Sequence, residues 1–162
     1  MNKKSLLPFF LIVVLVIIGC EQTTTLYLGA QADKKEAVAL VQGEVTNQNW
    51  KDLYISVDYS YRRDGNHLGM KGILSFTNSS QINYQRVPDL RLKLFFLDKN
   101  LQVVEYFNIL RTLSSDLEQE VKFNQTFKLP ATVTAFTFGY QGVLAEGQGR
   151  RSQIWNMPKR DH

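Results

Sequence analysis

The chain has 162 residues, 44% hydrophobic and 21% charged, with a formal net charge of +4, one cysteine and two histidines. A lone cysteine excludes a disulfide framework, and so few sulfur and imidazole groups give no cluster of the kind that holds a structural metal. The length suits a single domain, which at this size buries roughly two-thirds of its unfolded surface without such staples.

The first predicted element stands apart from that domain. Lys3 and Lys4 precede an uncharged stretch from Ser5 to Gly19, which ends at Cys20. A membrane-spanning helix needs about 20 apolar residues, whereas a signal-peptide core needs roughly 7–15. The stretch has the second length, and Pro8 near its start disfavours a long helix. Residues 1–19 therefore read as a signal-peptide helix. Its last residues, Ile17-Ile18-Gly19, with Cys20 behind them, resemble the lipobox of bacterial lipoproteins: an aliphatic residue, a small or aliphatic one, Gly or Ala, then Cys. The resemblance implies diacylglycerol transfer to Sγ of Cys20, cleavage before it, and acylation of the new amino terminus. Such a protein is lipid-anchored in the bacterial cell envelope, with the membrane as its first partner. Glu21 stands where an Asp would resemble an inner-membrane retention signal, which favours the outer membrane, facing the periplasm.

A sulfur consumed as a thioether needs no disulfide partner, which accounts for the lone cysteine. Each buried acyl methylene contributes about 0.8 kcal/mol, so two or more chains hold firmly where one holds only reversibly. Removing residues 1–19 takes two of the 19 Lys+Arg and none of the 15 Asp+Glu, leaving 143 residues at a formal charge of +2. A chain so near neutral gives no argument for nucleic acid as a partner.

Residues 20–37 are polar and mixed and read as a tether, although Leu26, Tyr27 and Leu28 also fit an opening strand. Residues 38–162 form the folded domain. Ile55, Val57, Tyr59 and Tyr61 alternate with polar residues, as one buried strand face requires. Asp64-Gly65 marks a tight turn, and Leu68, Met70, Leu74 and Phe76 resume the alternation. Asn78 through Pro88 reads as a long polar crossover between sheets. Leu90, Leu92, Leu94 and Phe96 make the next inward row, with Arg91 and Lys93 facing out. Asp98-Lys99-Asn100 supplies a turn before Val103, Glu105, Phe107 and Ile109. Ser115 to Glu118 has capping-box spacing but no amphipathic run behind it, and reads as a turn. Val121, Phe123 and Phe127 continue the pattern, and Phe136, Phe138 and Tyr140 close it. About seven strands with short connections predict an all-β antiparallel sandwich.

Two segments, LRLKLFFLDKNLQVV and FNQTFKLPATVTAFTFGYQG, resemble the second half of small immunoglobulin-like sandwiches on bacterial envelope proteins. The resemblance implies an immunoglobulin-like fold and no particular activity.

The search for chemistry is mostly negative. His67 sits beside the Asp-Gly turn, and with Asp64 and Met70 it makes too mixed a set for a metal site. No G-x-S-x-G elbow is present, and Asp116, Glu118 and Glu120 cluster in a polar turn rather than as an acid–base pair. No catalytic residue, cofactor or metal is expected, and the chain reads as a non-enzyme. Binding is the stronger expectation. Tyr84 and Arg86 lie on the crossover loop, where they contact a partner or, for Tyr84, plug the end of the sandwich. Phe95 and Leu97 point opposite to the Leu90–Phe96 row, towards either a docked tail or a partner. Trp155 and Ile154 lie in RRSQIWNMPKR, a terminal segment that is either a clasp on the sandwich or a binding tail. Two functions fit: a binding or accessory module for another envelope protein or polymer, or a structural or stress-related surface lipoprotein without a dedicated ligand.

Overall fold

The computed structural model describes residues 26–159 except 115 and 148. The signal peptide, the lipobox residues Ile17, Ile18 and Gly19, and Cys20 lie outside the described residues. The described chain is mostly antiparallel β-structure in two sheets, with a single short helix. In chain order the elements are β1 (Val38–Ala39), β2 (Val45–Lys51), β3 (Ile55–Asp64), β4 (His67–Phe76), α1 (Asn78–Asn83), β5 (Arg86–Leu97), β6 (Val103–Ser114), β7 (Val121–Lys128), β8 (Ala135–Glu146) and β9 (Arg150–Asn156).

One sheet runs β2-β3-β4-β7. The other runs β1-β8-β5-β6, and β9 joins the edge of β8 beyond β1. The sheets share one core. Ile55, Val57, Tyr59 and Tyr61 from β3 meet Leu90, Leu92, Leu94 and Phe96 from β5 and Phe136, Phe138 and Tyr140 from β8, all buried. The predicted inward rows of β3, β4, β5 and β8 are the rows observed, because alternation at period two leaves each strand one way to face an apolar layer. On β6 a register shift puts Val103 in a second cluster on the other face, and Val104 packs against the main core in its place. Aromatic rings fill the centre edge to face: Phe138 lies 4.9 Å from Tyr59, and Phe136 lies 5.2 Å from Tyr61, centroid to centroid.

The tight turn is a two-residue connection, Gly65-Asn66, with Gly65 at φ 58° in the left-handed region that glycine adopts freely. On β6 a register shift leaves Ile109 opposite no residue of β5. Gln125 of β7 donates to its carbonyl at 2.9 Å, so the bulge ties the edges of the two sheets together.

Several expectations need correction. The polar crossover is shorter than predicted: Thr77 caps α1 through its hydroxyl, which accepts from Ser80 N–H at 3.3 Å, and Val87, Pro88 and Asp89 already belong to β5. β2 escaped the sequence pattern because it is an edge strand with one buried residue, Trp50. Part of the segment read as a tether is packed structure. Ala30 and Ala32 are buried with Phe95, Leu97, Val103, Ala135 and Met157 in a second cluster, and Tyr27 lies against it. Backbone bonds fix this segment in place: Gly29 N–H to Val103 O at 2.8 Å, and Ala32 N–H to Leu101 O at 3.0 Å. It forms a roof over the outer face of the β8-β5-β6 sheet.

Lys93 does not face solvent. It is buried beneath that roof, hydrogen-bonded to Asn108 Oδ1, with its ammonium 5.4 Å from the centroid of the Tyr106 ring and 5.9 Å from that of Tyr27. Burial, with the neighbouring Arg91 charge, pushes its pKa down.

Candidate binding face

The residues singled out for contact in the sequence do not converge. Tyr84 closes α1 and packs its ring against Tyr54 at 6.4 Å, half-buried against the core. Of its two readings, the plug is the one its packing matches. Arg86 is exposed at the start of β5. Phe95 is fully buried, covered by the chain's own roof, so the apolar surface offered to a partner is already occupied. Trp155 is 62% exposed on β9, across from Gln141. The terminal segment packs on the sandwich as a clasp would: Ile154 enters the main core as expected, but the second grip is Met157 in the second cluster and not Trp155. Met70 points into the core while His67 is exposed, so the mixed His/Met set cannot form. Among the described residues no group of three His, Cys, Asp or Glu side chains could hold a metal ion. No described helix is long and apolar enough to cross a membrane.

Two concavities remain to be weighed. A cleft of about 710 Å³ runs between β1 and β2 over Trp50, Tyr59 and Tyr61. Its two tyrosines are engaged with the fold itself. Tyr59 donates to Gln48 Oε1 and Tyr61 to the Ala39 carbonyl, both at 3.0 Å. At one end Tyr140 donates to Asp52 at 2.7 Å, and Asn156 bridges Asp52 and Glu36 at 3.3 Å each. This is a seam between sheets, held by its own hydrogen bonds.

The second concavity is a saddle of about 890 Å³ on the outer face of the β2-β3-β4-β7 sheet. Its residues follow from the register. Asn49, Asp58, Ile73 and Lys122 stand side by side across the four strands, and Asn47, Ser60, Lys71 and Asn124 form the next row. Beyond them come Val45, Arg62, Gly69 and Thr126, then Asp64, His67 and Lys128. On the central strands its lining includes Gly72, Ile73 and Ser60, which is buried at 9% exposure. Asn49 donates to Asp58 at 2.7 Å and to Ser56 Oγ at 2.9 Å, which fixes the rim.

The two outer faces differ in cover, and among the described residues ion pairing is confined to one cluster. On the roofed sheet Asp89 pairs with Arg91 at 3.1 Å and with Arg111 at 2.8 Å. Among the described residues these are the ion pairs present, so Arg62, Lys71, Lys122 and Lys128 on the open face carry unneutralised charge. The concavity combines an apolar lining from Ile73, Gly72, Tyr59 and Phe123 with amides, a hydroxyl and the ammonium groups of Lys71 and Lys122, which can hydrogen-bond and attract an anion. Its volume falls within the roughly 300–1,000 Å³ of ligand sites.

Comparison with protein-family models, curated proteins and solved structures finds no match to this chain.

Proposed function

We propose that this chain is a lipid-anchored lipoprotein of the bacterial envelope whose immunoglobulin-like sandwich is a non-enzymatic binding module. The anchor is Cys20, behind Ile17-Ile18-Gly19 at the end of the apolar leader. The observation that carries the binding role is the inequality of the two outer faces. One lies under the segment that follows Cys20, while the other is open and carries a concavity edged by Asn47, Asn124, Lys71 and Lys122.

The test is site-specific photocrosslinking of full-length protein in mild detergent. A photoreactive side chain at Asn47, on the rim of the saddle, is expected to give one stoichiometric adduct with an envelope component. The same group at Trp155 is expected to give none. Adducts from Trp155 alone, or from neither site, would sink this reading.

A further inference from the structure

The open face carries a charge pattern that specifies its occupant. We infer that it binds an acidic polysaccharide, laid flat across β3, β4 and β7; this rests on the proposed binding role and names its ligand class.

Arg62, Lys71, Lys122 and Lys128 are exposed and unpaired on this face, against two acids, Asp58 and Asp64. Lys71 lies beside Asn124, and Lys122 beside Ile73, so the two lysines are diagonal neighbours, with Cα atoms about 7–8 Å apart. Like charges that close raise the local potential, and an anionic partner relieves it. A second copy of this chain would meet cation with cation, so a symmetric dimer through this face is disfavoured. Residues 1–25 hold Lys3, Lys4 and one acid, Glu21, so the chain's own leader offers no complementary charge either.

The polar groups narrow the choice further. Asn47, Ser60, Asn124 and Thr126 stand among the cations. Amides and hydroxyls both donate and accept, which matches the hydroxyls of sugars. The exposed large hydrophobics of the molecule lie elsewhere, apart from Val45 at one corner. The aromatic residues at its concavity, Tyr59 and Phe123, are buried in the core, so the face lacks the exposed aromatic anchors that concentrate protein–protein binding energy and the exposed rings that stack nucleic-acid bases.

Binding of full-length protein in neutral detergent to fluorescent polygalacturonate tests this. Neutral dextran and polyglutamate serve as comparisons. Saturable binding to polygalacturonate is expected, at least tenfold tighter than to either comparison polymer. It should weaken several-fold when salt is raised from about 0.05 to about 0.5 M, since exposed charges are screened within a few ångströms there. Lys71→Glu with Lys122→Glu should lower affinity at least tenfold, and Lys71→Gln with Lys122→Gln should lower it by less. Arg91→Glu on the roofed sheet should leave affinity unchanged.

Polyglutamate binding as well as polygalacturonate would overturn the polysaccharide assignment in favour of an acidic protein. Anionic lipid in the micelles displacing the polymer would overturn it in favour of a membrane surface. No binding, or binding indifferent to the lysines, would overturn it outright. If Asn47 still crosslinks in that case, the binding role stands and this ligand class alone is wrong.

Discussion

Gly72 sits between Tyr59 and Phe123 on the inward side of its sheet, and the fold has no room there for a side chain. A Cβ at Gly72 would lie 2.6 Å from Cζ of Phe123 and 2.7 Å from the Asp58 carbonyl oxygen. The ring could turn aside, but the backbone oxygen could not without disturbing the ladder. Gly72→Ala is therefore expected to cost about 1–3 kcal/mol by overpacking. Thermal denaturation against wild type checks this, and an unchanged midpoint would mean the sheet yields more easily than the contacts imply.

The tyrosines make a second prediction at this scale. Burial pushes the Tyr59, Tyr140 and Tyr27 hydroxyls above their ordinary pKa of 10.0, and Tyr140 is pushed further by its hydrogen bond to Asp52. Above pH 10 the unfolded chain releases these protons while the folded chain keeps them. The folded state then binds more protons, so stability falls as pH rises. Lys93 acts in the opposite sense. Its lowered pKa means the folded state loses a proton first, so stability rises from its folded value up to the ordinary 10.5. Three tyrosines against one lysine give a net loss. Urea midpoints should drop from about pH 10 upward, and Tyr140→Phe should flatten that drop.

At the scale of elements, β9 is the strand whose importance its exposed tryptophan disguises. It pairs with β8 from Tyr140–Asn156 to Glu146–Arg150, sends Ile154 into the core, and passes Met157 to the second cluster. Truncation after Gly149 is expected to lower the melting temperature steeply and to expose apolar surface to a hydrophobic dye. Trp155→Ala alone should stay within about 0.5 kcal/mol of wild type, as exposed substitutions usually do. A large effect of Trp155→Ala together with a mild truncation would reverse this assignment.

The apolar rows of β3, β4, β5 and β8 were legible in the sequence because each alternates cleanly. β2 was not, since VTNQNWK holds its place by pairing along β3 and contributes only Trp50 to the core. The roof over Phe95 was hidden for a different reason. Ala30 and Ala32 are small and widely set among polar residues, and their burial depends on a surface contributed by β5, β6 and β8. The candidate face was illegible in kind: its cations occupy the polar half of each alternation. They come together only because β4 lies beside β7, with β5 and β6 intervening in the chain.

For the whole molecule, anchoring and architecture are separable. The two sheets, the shared core and the roof are built from residues 26 onward. The proposed lipid attachment lies upstream. Cys20→Ala is accordingly expected to abolish incorporation of a fatty-acid label while leaving the melting temperature of the sandwich unchanged. Equal labelling of the variant would remove the anchor from the proposal. The distance between the two regions is short: five residues lie between Cys20 and Leu26, and the six steps along the chain span at most about 20 Å at full extension.

The roof also brings the two ends of the described chain together. Gln31 N–H donates to the Lys159 carbonyl at 2.7 Å, and Lys159 N–H donates back to Gln31 at 3.1 Å. Connectivity and architecture are thus independent in this sandwich. A circular permutant could run from Asn66 to Lys159, cross a short glycine–serine linker to Tyr27, and finish at Gly65. Its new ends would fall at the exposed tip of the β3–β4 hairpin, where a break is best tolerated. Every strand pairing would survive, and the permuted protein is expected to fold into the same two sheets.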